Sequence, residues 1–329
     1  MFKREACKVN TVTAPCSRAE LAKRLGRFAT PSSIHGVYRI FKAWAIIFAV
    51  FLINATVSPQ DIALRASVYF LSILLVGRAL KGLESCTHEA SHYTLFKVKC
   101  LNEWLEFLFA LPVLEPVAIY RRHHFIHHAE FGRPTDPAVQ LYAESGILDF
   151  PRGFIVVMVV KPLLGFSTLL FLKEITVAIG KDRISALKIA LFWTPILVFV
   201  YQMNLLFWFF AYFMVPLFFI FPILLFWGEI LDHAGLEWSS TLRGTRTNLG
   251  LIAGIIYPGG EGYHLVHHLH PGVPNHRLAE AHRHLSTIPQ FRDFSVTCSG
   301  ILDSVRSVKN QTSYGKWTTA AEQVRLDKI

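Results

Sequence analysis

Residues 88–92 read HEASH, which fits H-E-x-x-H, and two imidazoles four positions apart share one helix face where they can hold a metal between them. With Glu89 in second place, such a site could activate a metal-bound water for hydrolysis. The pentad is not alone. RRHHFIHHAE supplies His123, His124, His127 and His128, and GYHLVHHLHPG supplies His264, His267, His268 and His270. His233 stands between them in GEILDHAGL. At helical spacing, H-x-x-H-H turns its first histidine to the same face as its second or third. One pair and two triads give eight imidazoles, His233 makes nine, and one tetrahedral zinc uses only four. Imidazole-rich sites suit Zn, Cu, Fe or Ni, and ligand type alone does not choose among them. His35, His276, His282 and His284 stand apart and read as solvated or interfacial, while His123 and His270 adjoin the clusters as supporting groups.

The elements that position these groups are apolar. The chain has 329 residues, 52% hydrophobic and 17% charged, with 27 Phe. Soluble domains carry roughly a quarter charged residues. The deficit is local, because Ile189 to Gly228 is a run of forty residues without Asp, Glu, Lys or Arg. A bilayer core takes about 20 apolar residues per helix, so this run holds two spans, turning near Tyr201–Asn204 or at Pro216. Ala43–Val57 and about Ile62–Leu80 form another pair around SPQD, with Arg65 and Arg78 near the ends of the second. Each pair returns the chain to its starting side, so every histidine cluster faces the same way. Leu101–Tyr120 carries Glu103, Glu106 and Glu115 and is placed along the interface or as a re-entrant segment; Phe154–Leu172, interrupted by Lys161 and Pro162, is placed along the interface.

Nine Lys or Arg among residues 1–42, including Lys3, Arg4, Lys23, Arg24 and Arg27, face only Glu5 and Glu20. In a membrane protein this excess follows the positive-inside rule rather than nucleic-acid binding, and places that end in the cytoplasm. Five cysteines without a C-x-x-C pair suit a reducing compartment, and no cleaved signal peptide is expected. The expected fold is all-α and integral to the membrane, with four transmembrane helices in two hairpins, interfacial helices and a cytoplasmic histidine-box cap. It divides into a basic N-terminal segment (1–39), a membrane domain (40–290) and a cytoplasmic C-terminal tail (291–329).

H-x-x-x-H, then H-x-x-H-H twice, separated by apolar hairpins in this order, resembles the membrane-bound fatty-acid desaturase and hydroxylase family. Tyr120-Arg121, Asp136-Pro137 and Leu269–Pro271 flank the boxes as in that family, and the resemblance covers roughly residues 40–290. It implies two non-haem irons at the cytoplasmic face, held by His88 and His92, by His124, His127 and His128, by His264, His267 and His268, and by His233. Glu89 then becomes a partner that could hydrogen-bond a ligand imidazole. Glu229, one helical turn before His233, stands where acyl-CoA members carry an amide, and a carboxylate there could ligate iron or face the polar side of the site. His123, Asp136 and Glu261 complete the set that could ligate or support the metal.

The resemblance further implies O2 as co-substrate, an acyl or acyl-like substrate, and desaturation, with hydroxylation, ketone formation or alkene release as alternatives on the same scaffold. YPGG at 257–260 and HPGV at 270–273 are not the haem motif H-P-G-G, so electrons are expected from a separate ferredoxin- or cytochrome b5-like donor. A basic rim of Arg121, Arg122, Arg243 and Arg246 could steer an acidic donor. The flanks resemble bacterial members, which favours a bacterial inner membrane over the endoplasmic reticulum. A membrane zinc protease would leave seven histidines without a purpose, and a metal transporter would not need O2.

Overall fold

The computed structural model describes residues 17–57, 60–147, 153–238, 240–250 and 253–309; Ser58 and Pro59 of the SPQD turn, and residues 1–16 and 310–329 of the expected terminal segments, lie outside the described residues. The helices that matter for the site are α1 (Arg18–Leu25), α2 (Ser33–Thr56), α3 (Ile62–Ser91), α4 (Val117–Ala129), α5 (Pro137–Ser145), α6 (Val156–Leu163), α7 (Phe166–Lys181), α8 (Arg183–Gln202), α9 (Leu206–His233), α10 (His264–Leu269), α11 (Asn275–Leu285) and α12 (Ile301–Lys309). Two short strands, β1 (Arg246–Asn248) and β2 (Val296–Cys298), pair in parallel.

Among the described residues α2, α3, α8 and α9 are the four helices long and apolar enough to cross a membrane. Their outward faces carry Phe41, Phe48, Leu52, Phe70, Phe207 and Phe210, all exposed, a surface fit for lipid rather than water. Inward, Ile40, Ala43 and Ile47 of α2 meet Val76, Leu80 and Leu83 of α3, with Leu217 and Phe221 of α9 in the same core.

The expected second span stops at Leu80, but α3 runs on to Ser91, so the first histidine box rides on the spanning helix itself. Thirty residues make about 45 Å of helix, and a bilayer core is about 30 Å thick. The surplus turns are where burial by protein becomes continuous, from Leu83 to Ser91. The long apolar run turns at Met203–Leu205. Pro216 is instead absorbed in α9, whose widened π-helical turns at Phe210–Met214 and Pro216–Ile220 accommodate a residue with no N–H to donate. Phe154–Leu172 falls on α6 and α7, which bend by 74° around Gly165, held at φ +88° in the left-handed region.

Both expected terminal segments fold onto the histidine-bearing region where they are described. Leu21, Leu25 and Phe28 pack with Leu265, Leu269, Leu278 and Leu285. At the other end, Ser304 of α12 donates to Asn248 of β1 at 2.8 Å.

Gly77 sets the approach of α3 to α9, because a Cβ there would collide with the Ile220 side chain. Gly77→Val should therefore destabilise the protein by about 1–3 kcal/mol through overpacking. Adding Ile220→Ala should recover most of the loss, as read by thermal unfolding in detergent; no rescue would mean that this contact does not set the helix approach.

Candidate metal centre

Four helix segments deliver the nine imidazoles. α3 ends with His88, and His92 caps it. α4 carries His124, His127 and His128, α9 finishes at His233, and α10 holds His264, His267 and His268. They converge on two points. His88, His92, His124 and His267 each bring one nitrogen to within 4.8 Å of the others, and so do His127, His233, His264 and His268. His128 Nε2 joins the first group, 3.0 Å from His124 Nε2 and 2.9 Å from His267 Nε2.

Helical geometry explains the division. Neighbouring residues point about 100° apart, whereas residues four apart nearly coincide. His124 and His128 thus face the first group together while His127 turns to the second, and His264 and His268 face the second, with Nε2 atoms 3.0 Å apart, while His267 turns to the first. Each H-x-x-H-H motif serves both groups.

The donor set fits a metal. Across the groups the Nε2 atoms lie close: His88 to His267 at 2.9 Å, His233 to His264 at 3.0 Å, and His127 to His268 at 3.3 Å. Ligands about 2.1 Å from a shared ion sit about 3.0 Å apart at right angles and about 3.4 Å apart at tetrahedral angles. His92 Nε2 is buried without a hydrogen-bond partner. Burial, and then the neighbouring imidazoles, push the pKa of His124, His264, His267 and His268 well down, and His92 falls to about 2, which favours the neutral rings that metal ligation requires.

A neutral imidazole has one N–H and one lone pair, so a partner on Nδ1 aims the Nε2 lone pair inward. His88 Nδ1 donates to Glu261 Oε1 at 3.1 Å, His127 Nδ1 to Asp136 Oδ1 at 2.9 Å, and His233 Nδ1 to the Gly244 carbonyl at 3.0 Å. Burial opposes charge on His127, but the Asp136 hydrogen bond and charge outweigh it and raise its pKa. Asp136 is itself fixed, accepting from Ala138 N as the cap of α5 and from Gly132 N. Glu261 lies against Lys81, which also pairs with Glu84, and Tyr120 donates to Glu84 at 3.0 Å.

Of the other expected site residues, Asp136 and Glu261 contact ligand imidazoles and Glu89 does not. Its carboxylate pairs with Arg39 of α2 and accepts from Asn275 N at 2.8 Å, because the position after His88 points about 100° away from the nitrogens. Glu229 stands outside both nitrogen groups and accepts from the Tyr142 hydroxyl at 3.2 Å. His123 also lies outside them, exposed. His35 and His276 stack on each other away from the centre, their centroids 4.2 Å apart. Arg246 is no part of a basic rim: it is 0% exposed, and its guanidinium donates to the carbonyls of Leu231 and Ala234 and to Ser307. Sequence reasoning missed the Gly244 carbonyl, which no side chain announces, and Tyr142. It also missed Asp232, whose Oδ2 lies 3.8 Å from His264 Nε2.

A cavity of about 530 Å³ reaches His124 and His127 between α4, α5, α7 and α9. A cluster of buried imidazoles at the ends of membrane-length helices, beside such a cavity, defines a membrane oxidoreductase of the histidine-box class. The fatty acid desaturase family model matches residues 64–299. The chain is also similar to the dihydrorhizobitoxine desaturase of Bradyrhizobium elkanii, 30% identical over 302 residues that make up 86% of this chain and 84% of that protein. It belongs to the fatty acid desaturase family, whose members typically use iron, and HEASH is its first histidine box rather than a protease motif.

Asp136→Asn keeps an N-cap for α5 but loses the carboxylate on His127. That change and Glu261→Gln should each weaken metal binding about 10–100-fold in chelator competition. Unaltered affinity would show that these carboxylates do not orient the ligands.

Proposed function

We propose that the chain is an O2-dependent desaturase with two irons, one held by His88, His92, His124, His128 and His267 and the other by His127, His233, His264 and His268. The observation that carries this reading is the division of nine imidazoles into two groups, each fit for one ion. Bound there, the irons supply an oxidant able to take hydrogen from an unactivated C–H bond, chemistry that no amino-acid side chain provides. Overall, two hydrogens leave neighbouring carbons of the substrate, two electrons arrive from a ferredoxin- or cytochrome b5-like donor and two protons from solvent, so that O2 becomes two waters.

The residues of the chain hold this reaction in place. Glu261, Asp136 and the Gly244 carbonyl keep the protons of His88, His127 and His233 on Nδ1, away from the metal side. The cavity seats the reacting chain against His124 and His127, between walls from α5 and α7. The substrate is an acyl chain or an acyl-like lipid or metabolite, as the family and the similar B. elkanii enzyme support. The histidine cap and both termini face the cytoplasm of a bacterial inner membrane, in keeping with the basic residues of the N-terminal end. Arg122 and Arg243, whose side chains are exposed, provide positive charge for an acidic donor.

Untargeted mass spectrometry of host cells expressing wild type or His127→Ala tests the reaction. A product about two mass units lighter than its precursor, at least about 100-fold depleted in the variant, is the expected result. A product about sixteen units heavier would make the enzyme a hydroxylase. Purified wild type without iron would overturn the di-iron assignment.

A further inference from the structure

The cavity beside the histidines is lined by carboxyl groups from four helices and one turn. Glu84 comes from α3, Glu115 from the turn before α4, Glu144 from α5, Glu174 from α7 and Glu229 from α9. Two of them are neutralised by protein cations. Glu84 pairs with Lys81, and both oxygens of Glu144 lie 2.8 Å from Lys173 Nζ. Glu115, Glu174 and Glu229 form no ion pair among the described residues, and Lys181, at the last residue of α7, sets one positive charge in the lining against these three.

Glu115 shows the mismatch most clearly. Leu114 adopts φ +62°, a conformation uncommon for a residue with a side chain, and the turn it makes delivers Glu115 to the cavity. There its Oε2 is shut off from solvent and has no hydrogen-bond partner. Burial, and then the charges of Glu84 and Glu174, push its pKa well up, and a cation beside it would favour its charged form. A methylene chain laid along this wall would displace water from its polar groups without satisfying them, which is costly. A cation would satisfy them.

We propose that the substrate of this enzyme carries an amine, bound as an ammonium among Glu115, Glu174 and Glu229 in the cavity that reaches His124 and His127. The proposal deepens the desaturase reading, on which it depends only for placing the reacting carbon near the histidines. The acids then act as specificity determinants: they select a cationic head over a carboxylate or neutral one, and they fix how far along the substrate the histidine centre reaches. Repulsion would exclude a free fatty acid entering carboxylate first.

Binding tests the proposal without turnover. Hexylamine, hexanol and hexanoate share one chain length and differ in charge, and each is titrated by calorimetry into the iron-loaded protein in zwitterionic nanodiscs. Hexylamine should bind at least about tenfold more tightly than hexanol, with hexanoate weakest. Glu115→Gln and Glu174→Gln should each reduce the preference for amine over alcohol to about threefold or less, leaving hexanol affinity unchanged. Glu174 is exposed on the cavity wall, so its variant tests charge without disturbing a buried contact. Equal binding of hexanol and hexylamine, or a preference that survives both substitutions, would overturn the proposal. Iron content and O2-dependent product formation, measured on the same preparations, separate the two readings. A wild type with no amine preference but intact oxidation removes the ammonium site alone, and an amine preference in wild type that binds no iron removes the di-iron reading alone.

Discussion

Imidazole nitrogens about 3 Å apart, with their lone pairs turned towards one another, are tolerable only when a cation lies among them. The rest of the molecule is organised around that constraint. A neutral histidine in water is free to turn its ring or move its proton, and either escape would relieve the repulsion. Here neither is open to His88, His127 or His233, because Glu261, Asp136 and the Gly244 carbonyl hold their Nδ1 protons in place. Those partners are held in turn. Glu261 is fixed by Lys81, and Asp136 by the first turn of α5. Hydrogen bonds that look peripheral therefore decide where the nitrogens point, and protein packing replaces much of the cost of assembling the ligands when a metal arrives.

Rigidity of this kind comes from helices longer than a membrane requires. α3 and α9 each use their apolar length to pack through Gly77 and Ile220, and then continue to His88 and His233 without a break. A ligand on the last turn of a helix anchored along its whole length has little freedom, and the two helices differ in what their ends offer. α3 supplies the first nitrogen group and α9 the second. The short helices α4 and α10 contribute to both, so they cross-link the two halves of the centre. The terminal segments reinforce the same region from outside, α1 through the apolar core around α10, and α12 through Ser304 and Ser307 on the β1 strand.

Much of this was legible in the sequence. Eight of the nine ligating candidates follow from box spacing and the ninth, His233, from the family resemblance, while the four spanning helices follow from the apolar runs, because periodicity and charge-free length are local properties. Asp136 and Glu261 were legible as acids near boxes. What the sequence did not disclose depends on contacts far apart along the chain. Nothing local indicates that Arg246 is buried; only the fold brings it against the carbonyls at the end of α9. Nothing local tells which member of a histidine doublet serves which group, since that follows from how α4 and α10 are rotated against each other. The division of roles among the acids was also hidden, because Glu89, Glu229 and Glu261 each lie within four residues of a candidate ligand in sequence.

Glu89 illustrates how a motif can mislead and still matter. Its neighbour His88 points at the centre, so helical phase turns Glu89 towards α2, where it pairs with Arg39 and accepts from Asn275 N. Arg39 reaches that point across Gly259, which sits at φ +86° and where any side chain would collide with the guanidinium. The Pro258 carbonyl next to it accepts from Ser85, one turn before Glu89. The YPGG sequence that resembles part of a haem motif is thus a passage for Arg39, and HEASH, which resembles a hydrolytic motif, ties α2, α3 and α11 together behind the first box. Both are explained by the same requirement. The loop before α10 must lie flat against α3 if Glu261 is to meet His88, and only glycine at 259, with an acid at 89 to receive the arginine, lets it do so.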